Sequence, residues 1–368
     1  MKIALLSDCY PPRTGGIESQ VGDLARQLRR AGHEPEVFTA TPGAQGQRSG
    51  QIEVLDGIPV HRMALHLPGA VPVNPLAPPV VRARLSAGGF DVAHVHLGVV
   101  SPFGWDMARV ATGLGLPTAL TFHSVLDRAV PTLGRSLRAW SGHGAVLSAV
   151  SEFAAKGVRE AVPGVTVGVL PNGIDPSDWP VGEVRGRVRP LRLVTATRLA
   201  PRKRVGTLLR VVADAHTRLG PGALTVDVFG DGAMRDLLAA RAKGLGLGEV
   251  VRWRGRISRE ELARCYTRAD AYLSPTRLEA FGIAALEART TGLPVIARAD
   301  SGVGEVITDG VSGLLAADDA GLTDALVRLV ADDTLRTRIA RHNAQTPPTQ
   351  TWDRVVDLAV AEYRRGGA

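Results

Sequence analysis

The chain has 368 residues, 45% hydrophobic and 22% charged, a length that suits two ordinary domains. No run of eighteen apolar residues occurs, and the N-terminus, MKIALLS, enters a strand without a signal-peptide pattern, so neither a membrane span nor a secretory leader is expected. The formal charge of +8 invites nucleic acid or anionic lipid, yet residues 1–180 carry 15 Lys/Arg against 14 Asp/Glu, and the excess is scattered over the rest. With aromatics at 4% and no basic–aromatic interleaving, nucleic acid is not the expected partner. Cys9 and Cys265 stand far apart without metal-type spacing, as in a reduced, cytoplasmic protein.

Taken in order, Lys2–Ser7 reads as a buried parallel strand. A loop, Asp8–Gly16, ends in Gly15-Gly16, and a helix follows with Ile17, Val21, Leu24 and Leu28 on one face. Glu36–Thr39 closes the βαβ unit; the G-x-G-x-x-G dinucleotide fingerprint is missing. The glycine pair serves either close approach of a ligand to the backbone or a turn with positive φ. Ile52–Met63 reads as a hairpin around Asp56-Gly57, and Pro68–Pro79 as an irregular surface loop. His94 and His96 share a face of the strand Val92–Leu97, where packing is favoured over metal ligation because no third ligand follows. Pro117–Phe122 is a strand with His123 just past its C-terminal end, the place where α/β sheets put ligand contacts, although a structural histidine fits equally there. Ala145–Ser148 and Val167–Leu170 continue the series, and a Pro- and Gly-rich stretch to Pro190 reads as a linker.

A second βα series then begins. Leu191–Thr195 leads to a loop with Arg198 and Lys203, and Val205–Leu219 is a helix. Leu224–Phe229 and Val250–Trp253 are strands, the second followed by Arg254-Gly255-Arg256-Ile257 and a capping box at Ser258 and Glu261. The strand Ala271–Ser274 delivers Glu279, Phe281 and Gly282 to a helix starting near Ile283 and carrying Glu287, stopped by Gly292 and Pro294. A helix start offers backbone N–H groups to an anion, and nearby carboxylates accept hydrogen bonds from sugar hydroxyls. Phosphate and sugar together point to a sugar nucleotide. Strands Leu293–Ala297 and Gly313–Leu315 and helices near Ala320–Val330, Asp333–Arg341 and Thr351–Arg364 complete the chain.

The expected fold is α/β, two doubly wound Rossmann-like domains facing a cleft: residues 1–173, a linker 174–190, residues 191–345, and a C-terminal helix, 346–368, crossing back to the first domain. In order and spacing, Gly15-Gly16-Ile17-Glu18, Thr121-Phe122-His123, Pro171-Asn172-Gly173-Ile174-Asp175, Arg198 with Lys203, and Glu279-Ala280-Phe281-Gly282 through Glu287 resemble the family-four retaining glycosyltransferases of the GT-B fold over essentially the whole chain.

The resemblance implies a catalytic set of His123, Arg198, Lys203 and Glu279. Arg198 and Lys203 would grip the donor diphosphate, Glu279 with the backbone of Phe281, Gly282 and Ile283 the sugar, and Glu287 the ribose. Arg256 and Ile257 would line the base, with Gly15 and Gly16 at the diphosphate and Glu18, Asn172 and the Pro68–Pro79 loop on the acceptor side. It further implies hexose transfer from a UDP- or GDP-linked sugar to a hydroxyl, with retention, by front-face displacement and with no metal or other cofactor. A sugar-nucleotide-binding regulator without turnover is the alternative. The near-neutral first half leans toward a soluble acceptor and lends no support to peripheral membrane contact. Two departures stand out: Arg204, where the family often has Gly, and Arg289-Thr290-Thr291 in place of small apolar residues.

Overall fold

The computed structural model describes residues 1–13, 15–65, 72–126, 130–186 and 189–368, without the side chains of 130–132. The chain divides into two compact α/β units, Met1–Gly173 with Gln350–Ala368, and Ile174–Thr349.

In the first unit the strands are β1 (Lys2–Ser7), β2 (Glu34–Thr39), β3 (Gln51–Leu55), β4 (Ile58–Arg62), β5 (Val92–Leu97), β6 (Thr118–Phe122), β7 (Val146–Ala149) and β8 (Val167–Val169). They form one sheet in the order β3-β4-β2-β1-β5-β6-β7-β8. All pairs are parallel except β3 on β4, the hairpin expected at Asp56-Gly57. The crossover direction reverses between β1 and β5, so the loops leaving those strands flank a switch point. Register sets Ser7 opposite Thr39 and His96, His96 opposite Thr121, and Thr121 opposite Ser148, a polar row near the strand ends of an otherwise apolar sheet.

Helices α1 (Gly16–Arg30), α2 (Ala77–Ala87), α3 (Pro102–Gly113), α4 (Val130–Gly142) and α5 (Glu152–Ala161) serve this unit. Residues 68–71 of the expected Pro68–Pro79 loop lie outside the described residues, and the loop reading fails at its other end, where α2 begins at Ala77. Pro78 and Pro79 occupy the first turn of α2, where the missing N–H groups have no intrahelical partner to lose. The C-terminal helix, the last of the chain (Trp352–Arg365), completes the unit's core by burying Trp352, Val355, Val356, Ala359 and Tyr363 among Ile3, Leu5, Leu24, Val92 and Ala119.

The second unit holds β9 (Leu191–Ala196), β10 (Leu224–Phe229), β11 (Val251–Gly255), β12 (Ala271–Ser274), β13 (Val295–Arg298) and β14 (Gly313–Ala316). They run parallel in the order β11-β10-β9-β12-β13-β14, with a switch point between β9 and β12. Its helices are α6 (Val205–Leu219), α7 (Arg235–Gly244), α8 (Arg259–Tyr266), α9 (Ile283–Thr290), α10 (Asp319–Ala331) and α11 (Asp333–Gln345), so the closing Trp352–Arg365 helix is α12. Strand β11 extends through Arg254 and Gly255, two residues that the sequence reading placed in a loop.

The segment read as a linker is packed onto this second sheet's unit rather than free. Trp179 is buried between Tyr266, at a ring separation of 5.8 Å, and the Arg259 guanidinium, 5.2 Å from its ring. Residues 187–188 of that segment lie outside the described residues.

Candidate active site

Two loops leave the switch point of the second unit side by side. The loop after β9 carries Arg198, Lys203 and Arg204; its backbone is fixed by Thr197 N donating to Phe229 O at 3.0 Å and Leu199 N to Asp231 O at 2.9 Å. The loop after β12 carries Glu279 and ends at Gly282, which caps α9 at φ 88°, a left-handed conformation that L side chains rarely adopt. A second glycine makes this bend possible. Gly302 donates to Glu279 O at 2.8 Å, and a Cβ there would sit 2.1 Å from Ala280 O. The amides of Gly282, Ile283 and the following residues form the open N-terminal turn of α9, with no side-chain cap on Gly282. Phe281 is buried beneath this turn.

Lys203 Nζ lies 2.6 Å from Glu279 Oε2, bridging the two loops. Both side chains keep partial exposure, 34% and 20%. A pair this wet is worth about 0–1 kcal/mol, so an arriving polyanion can take the ammonium group from the carboxylate at little cost. Thr276 Oγ1 also donates to Lys203 O, at 3.3 Å. Arg204 adopts φ 53° and ψ 32°, a left-handed conformation costing a non-glycine residue roughly 1–2 kcal/mol. Its guanidinium grips Asp319 with both terminal nitrogens, at 3.0 and 2.7 Å, and donates to Pro275 O at 3.0 Å.

Glu287 stands one turn into α9, with Arg259 Nε 3.7 Å from its Oε1. Arg198 and Arg256 are exposed at the ends of β9 and β11, and Ile257 follows Arg256, partly covered.

The rim of the first unit is built around three histidines. His123 keeps its backbone in the sheet, donating to Leu97 O at 2.8 Å. Its Nε2 lies 2.9 Å from His96 Nδ1, and the Asn172 side chain hydrogen-bonds the same ring. Burial pushes His123 down to about 4 against the pull of that Asn172 bond. Behind it His94, also lowered by burial to about 3, bonds Thr121 Oγ1 at 2.7 Å and Tyr363 on α12 at 2.8 Å. All three imidazoles are therefore neutral at pH 7, and His96 Nε2 is buried without a hydrogen-bond partner among the described residues.

Gly15 is extended at φ 170°, so the positive-φ reading of the glycine pair is wrong for it. A Cβ there would lie 2.3 Å from Glu18 Oε2, so a side chain at this position would displace the Glu18 carboxylate. Glu18 is buried and turned back onto Arg13, whose Nε is 3.2 Å away, while Gly16 opens α1 in an exposed position. Gln20 clamps Gly173 with two side-chain-to-backbone bonds, at 2.9 and 3.1 Å, setting Asn172 beside His123.

Sequence reasoning passed over Asp8. Its carboxylate accepts from Phe103 N and Gly104 N, both at 3.0 Å, anchoring the start of α3 to the end of β1, and burial pushes it up to about 6. No local pattern marks a partner 95 residues away. Among the described residues no three His, Cys, Asp or Glu side chains gather as a metal site, and no helix is long and apolar enough to cross a membrane.

Known proteins resemble this chain in sequence and in fold. Residues 14–178 match the family described as Glycosyltransferase Family 4, and residues 186–346 match Glycosyl transferases group 1. A D-inositol 3-phosphate glycosyltransferase of Actinosynnema mirum is 30% identical, covering 95% of this chain and 92% of its own. The chain belongs to the group 1/family 4 glycosyltransferases.

A GDP-mannose-dependent alpha-(1-6)-phosphatidylinositol monomannoside mannosyltransferase of Mycolicibacterium smegmatis is 28% identical to this glycosyltransferase over 89% of both chains. Sucrose-phosphate synthase of Thermosynechococcus elongatus has the same fold, with a TM-score of 0.78 at 20% identity over 99% of this chain and 98% of its own. The two Rossmann-like units of the glycosyltransferase are those of the GT-B architecture. Within the second unit, Lys203, Glu279 and the first turn of α9 come together; within the first, His123 and Asn172 do, while Glu18 faces its own loop.

Proposed function

We propose that this glycosyltransferase moves a hexose from a UDP- or GDP-linked sugar to a hydroxyl acceptor with retention of the anomeric configuration and without a metal ion. One observation carries the reading: Lys203 Nζ sits 2.6 Å from Glu279 Oε2 on two loops that meet at a sheet switch point, beside the open N-terminus of α9. In this reading Lys203 and Arg198 leave their resting partners for the diphosphate. The charge growing on its departing oxygen is met by fixed cations and helix amides, each such donor worth roughly 3 kcal/mol in the transition state. Glu279, released from Lys203, accepts hydrogen bonds from the hexose, and Glu287 accepts them from the ribose. The neutral His123 offers a ring nitrogen to a sugar hydroxyl only by giving up Asn172 or His96. The acceptor oxygen bonds to the anomeric carbon as the carbon–phosphate-oxygen bond breaks on the same face, and the hydroxyl proton passes to the leaving phosphate.

Similarity to an inositol-phosphate glycosyltransferase and a GDP-mannose-dependent mannosyltransferase supports the donor class. The almost balanced charge of residues 1–180 favours a soluble acceptor, reached in the cytoplasm.

The test begins with a thermal-shift screen of UDP, GDP and their hexoses, since a ligand that binds only the native state raises its melting temperature. Nucleoside diphosphate release is then followed with the best donor, with and without EDTA. Turnover that survives EDTA and falls about 10²–10³-fold in Lys203→Ala is expected. Tight nucleotide binding with no consumption of any donor by the wild type would favour the regulatory alternative, and activity lost on chelation and restored by Mg²⁺ would remove the metal-free step. The anomeric configuration of the product, read by NMR, decides retention.

A further inference from the structure

The left-handed Arg204 stands next to Lys203, and its side chain reaches three separate elements. Both terminal nitrogens hold Asp319, the first residue of α10, and one also donates to Pro275 O, where β12 turns into the Glu279 loop. Asp319 is in turn held by Arg298 at the end of β13, 3.4 Å away, and Arg298 clasps Asp300 at 2.8 and 3.0 Å. Arg277, on the Glu279 loop itself, closes the far side on Asp300 at 3.4 Å. The cluster therefore ties the strand ends of β9, β12 and β13 and the start of α10 into one frame.

The tip of Lys203 is held less firmly. Its 3-10 turn, Pro201–Lys203, is three residues long and is tied by Lys203 N to Ala200 O and by Thr276 to Lys203 O, while its ammonium group pairs with Glu279 in a partly exposed contact. A donor diphosphate that draws Lys203 away from Glu279 removes that contact, and the loop must then be held by something the donor does not touch.

We propose that Arg204 is a positioning residue, a latch that uses Asp319 and the Pro275 carbonyl to hold Lys203 at a fixed place while its ammonium group changes partner from carboxylate to phosphate. The proposal rests on the transferase reading above and adds to it the residue that keeps the leaving-group cation in register. A flexible lysine would not replace it, because a planar fork is what grips a carboxylate and a carbonyl together. The left-handed backbone fits the role, since a glycine would hold the same turn without strain but would leave the two loops untied.

The experiment compares Arg204→Ala, Arg204→Gly, Arg204→Lys, Asp319→Ala and the Arg204→Ala/Asp319→Ala double variant. If the latch operates, kcat falls about tenfold in each single variant, the scale expected of a displaced catalytic group, while KM for the donor moves less than threefold. The double variant is no worse than either single one. Arg204→Gly fares no better than Arg204→Ala, and Arg204→Lys does not rescue.

A second readout does not depend on turnover. The chain has only four lysines, Lys2, Lys156, Lys203 and Lys243, so selective lysine side-chain labelling gives an NMR spectrum in which Lys203→Arg assigns the signal of interest. In Arg204→Ala that signal moves to the position it takes in Glu279→Gln. Unchanged kcat and an unmoved Lys203 signal in Arg204→Ala and Asp319→Ala would overturn the latch while leaving the transferase reading intact. A shifted Lys203 signal in a protein whose wild type consumes no sugar nucleotide would leave the latch standing and sink the transferase reading.

Discussion

The strand-end rims of the two units solve the same problem with opposite chemistry. In the first, three histidines cluster at and beside the polar row of strand ends, and burial keeps all of them uncharged, so the rim is held by neutral hydrogen bonds to Thr121, Asn172 and Tyr363. In the second, the loops are held by charge: Lys203 on Glu279, Arg204 on Asp319 and Arg298 on Asp300. Neutral bonds in a dry layer are costly to break and barely sensed by salt, because an unpaired buried group loses about 1–3 kcal/mol. Of the charged pairs, the partly exposed Lys203–Glu279 pair is weak, screened and exchangeable, whereas Arg204 grips Asp319 with both terminal nitrogens and Arg298 is buried on Asp300. The difference teaches where movement is permitted. In the second rim one pair, Lys203 on Glu279, costs little to exchange, and the first rim is built to stay as folded.

The comparison breaks first at Lys203. Lys203→Ala is expected to lower donor turnover by about 10²–10³-fold while circular dichroism and melting temperature stay near wild type, because the pair it removes is weak in the resting fold. A large loss of stability instead would show that the second rim is as rigid as the first.

Gly302→Ala asks the converse. Its Cβ would meet the Ala280 carbonyl at 2.1 Å, so the Glu279 loop must shift, with a loss of about 1–3 kcal/mol in chemical denaturation. Unchanged stability would mean that the bend at Gly282 does not depend on this close approach.

A smaller effect sharpens the roles of the two carboxylates. Glu287→Ala is expected to weaken free UDP or GDP by about tenfold, and Glu279→Ala to weaken the sugar-bearing donor by a similar factor while sparing the free nucleotide. Equal losses for the free nucleotide in calorimetry would reverse the assignment.

The smallest effect is in pH. His94 and His123 have folded values of about 3 and 4, below the ordinary 6.5, so the unfolded chain binds their protons first and stability falls as pH drops from about 6.5 toward 4. Asp8 and Glu362 are raised to about 6, so the folded state takes up their protons first and opposes that loss below pH 6. In Asp8→Asn one of the opposing groups is gone, and urea titrations should show stability declining more steeply between pH 6 and 4 than in the wild type. An identical slope would place Asp8 outside the balance.

Much of this was readable from the chain because punctuation is local. The strand before Glu279, the Gly292 and Pro294 stop and the helix Val205–Leu219 follow from periodicity and breakers within a dozen residues, and that helix has the same bounds in the structure. Helices α3 and α4 were passed over. In α3, Pro102, Gly104 and Gly113 mask the signal, and its buried face holds Phe103, Met107, Ala108, Val110 and Ala111 with little polar contrast. The Pro-rich start of α2 was mistaken for a loop because proline reads as a breaker unless its place in the first turn is known. Within the site, the chemically distinctive residues were legible, but their partners were not. Arg204 meets Asp319 across 115 residues, His94 meets Tyr363 across 269, and His96 meets His123 across 27, and no local pattern encodes such pairings.

The place of α12 bears on how the chain comes into being. Residues 174–349 form a contiguous unit whose sheet can close as soon as they have been made. The first unit cannot close, because Trp352, Val355, Ala359 and Tyr363, which fill the space against Ile3, Leu5 and Val92, are translated only after the whole second unit. The N-terminal sheet must therefore wait with one flank uncovered on the ribosome, and the later-born unit can mature ahead of the earlier one.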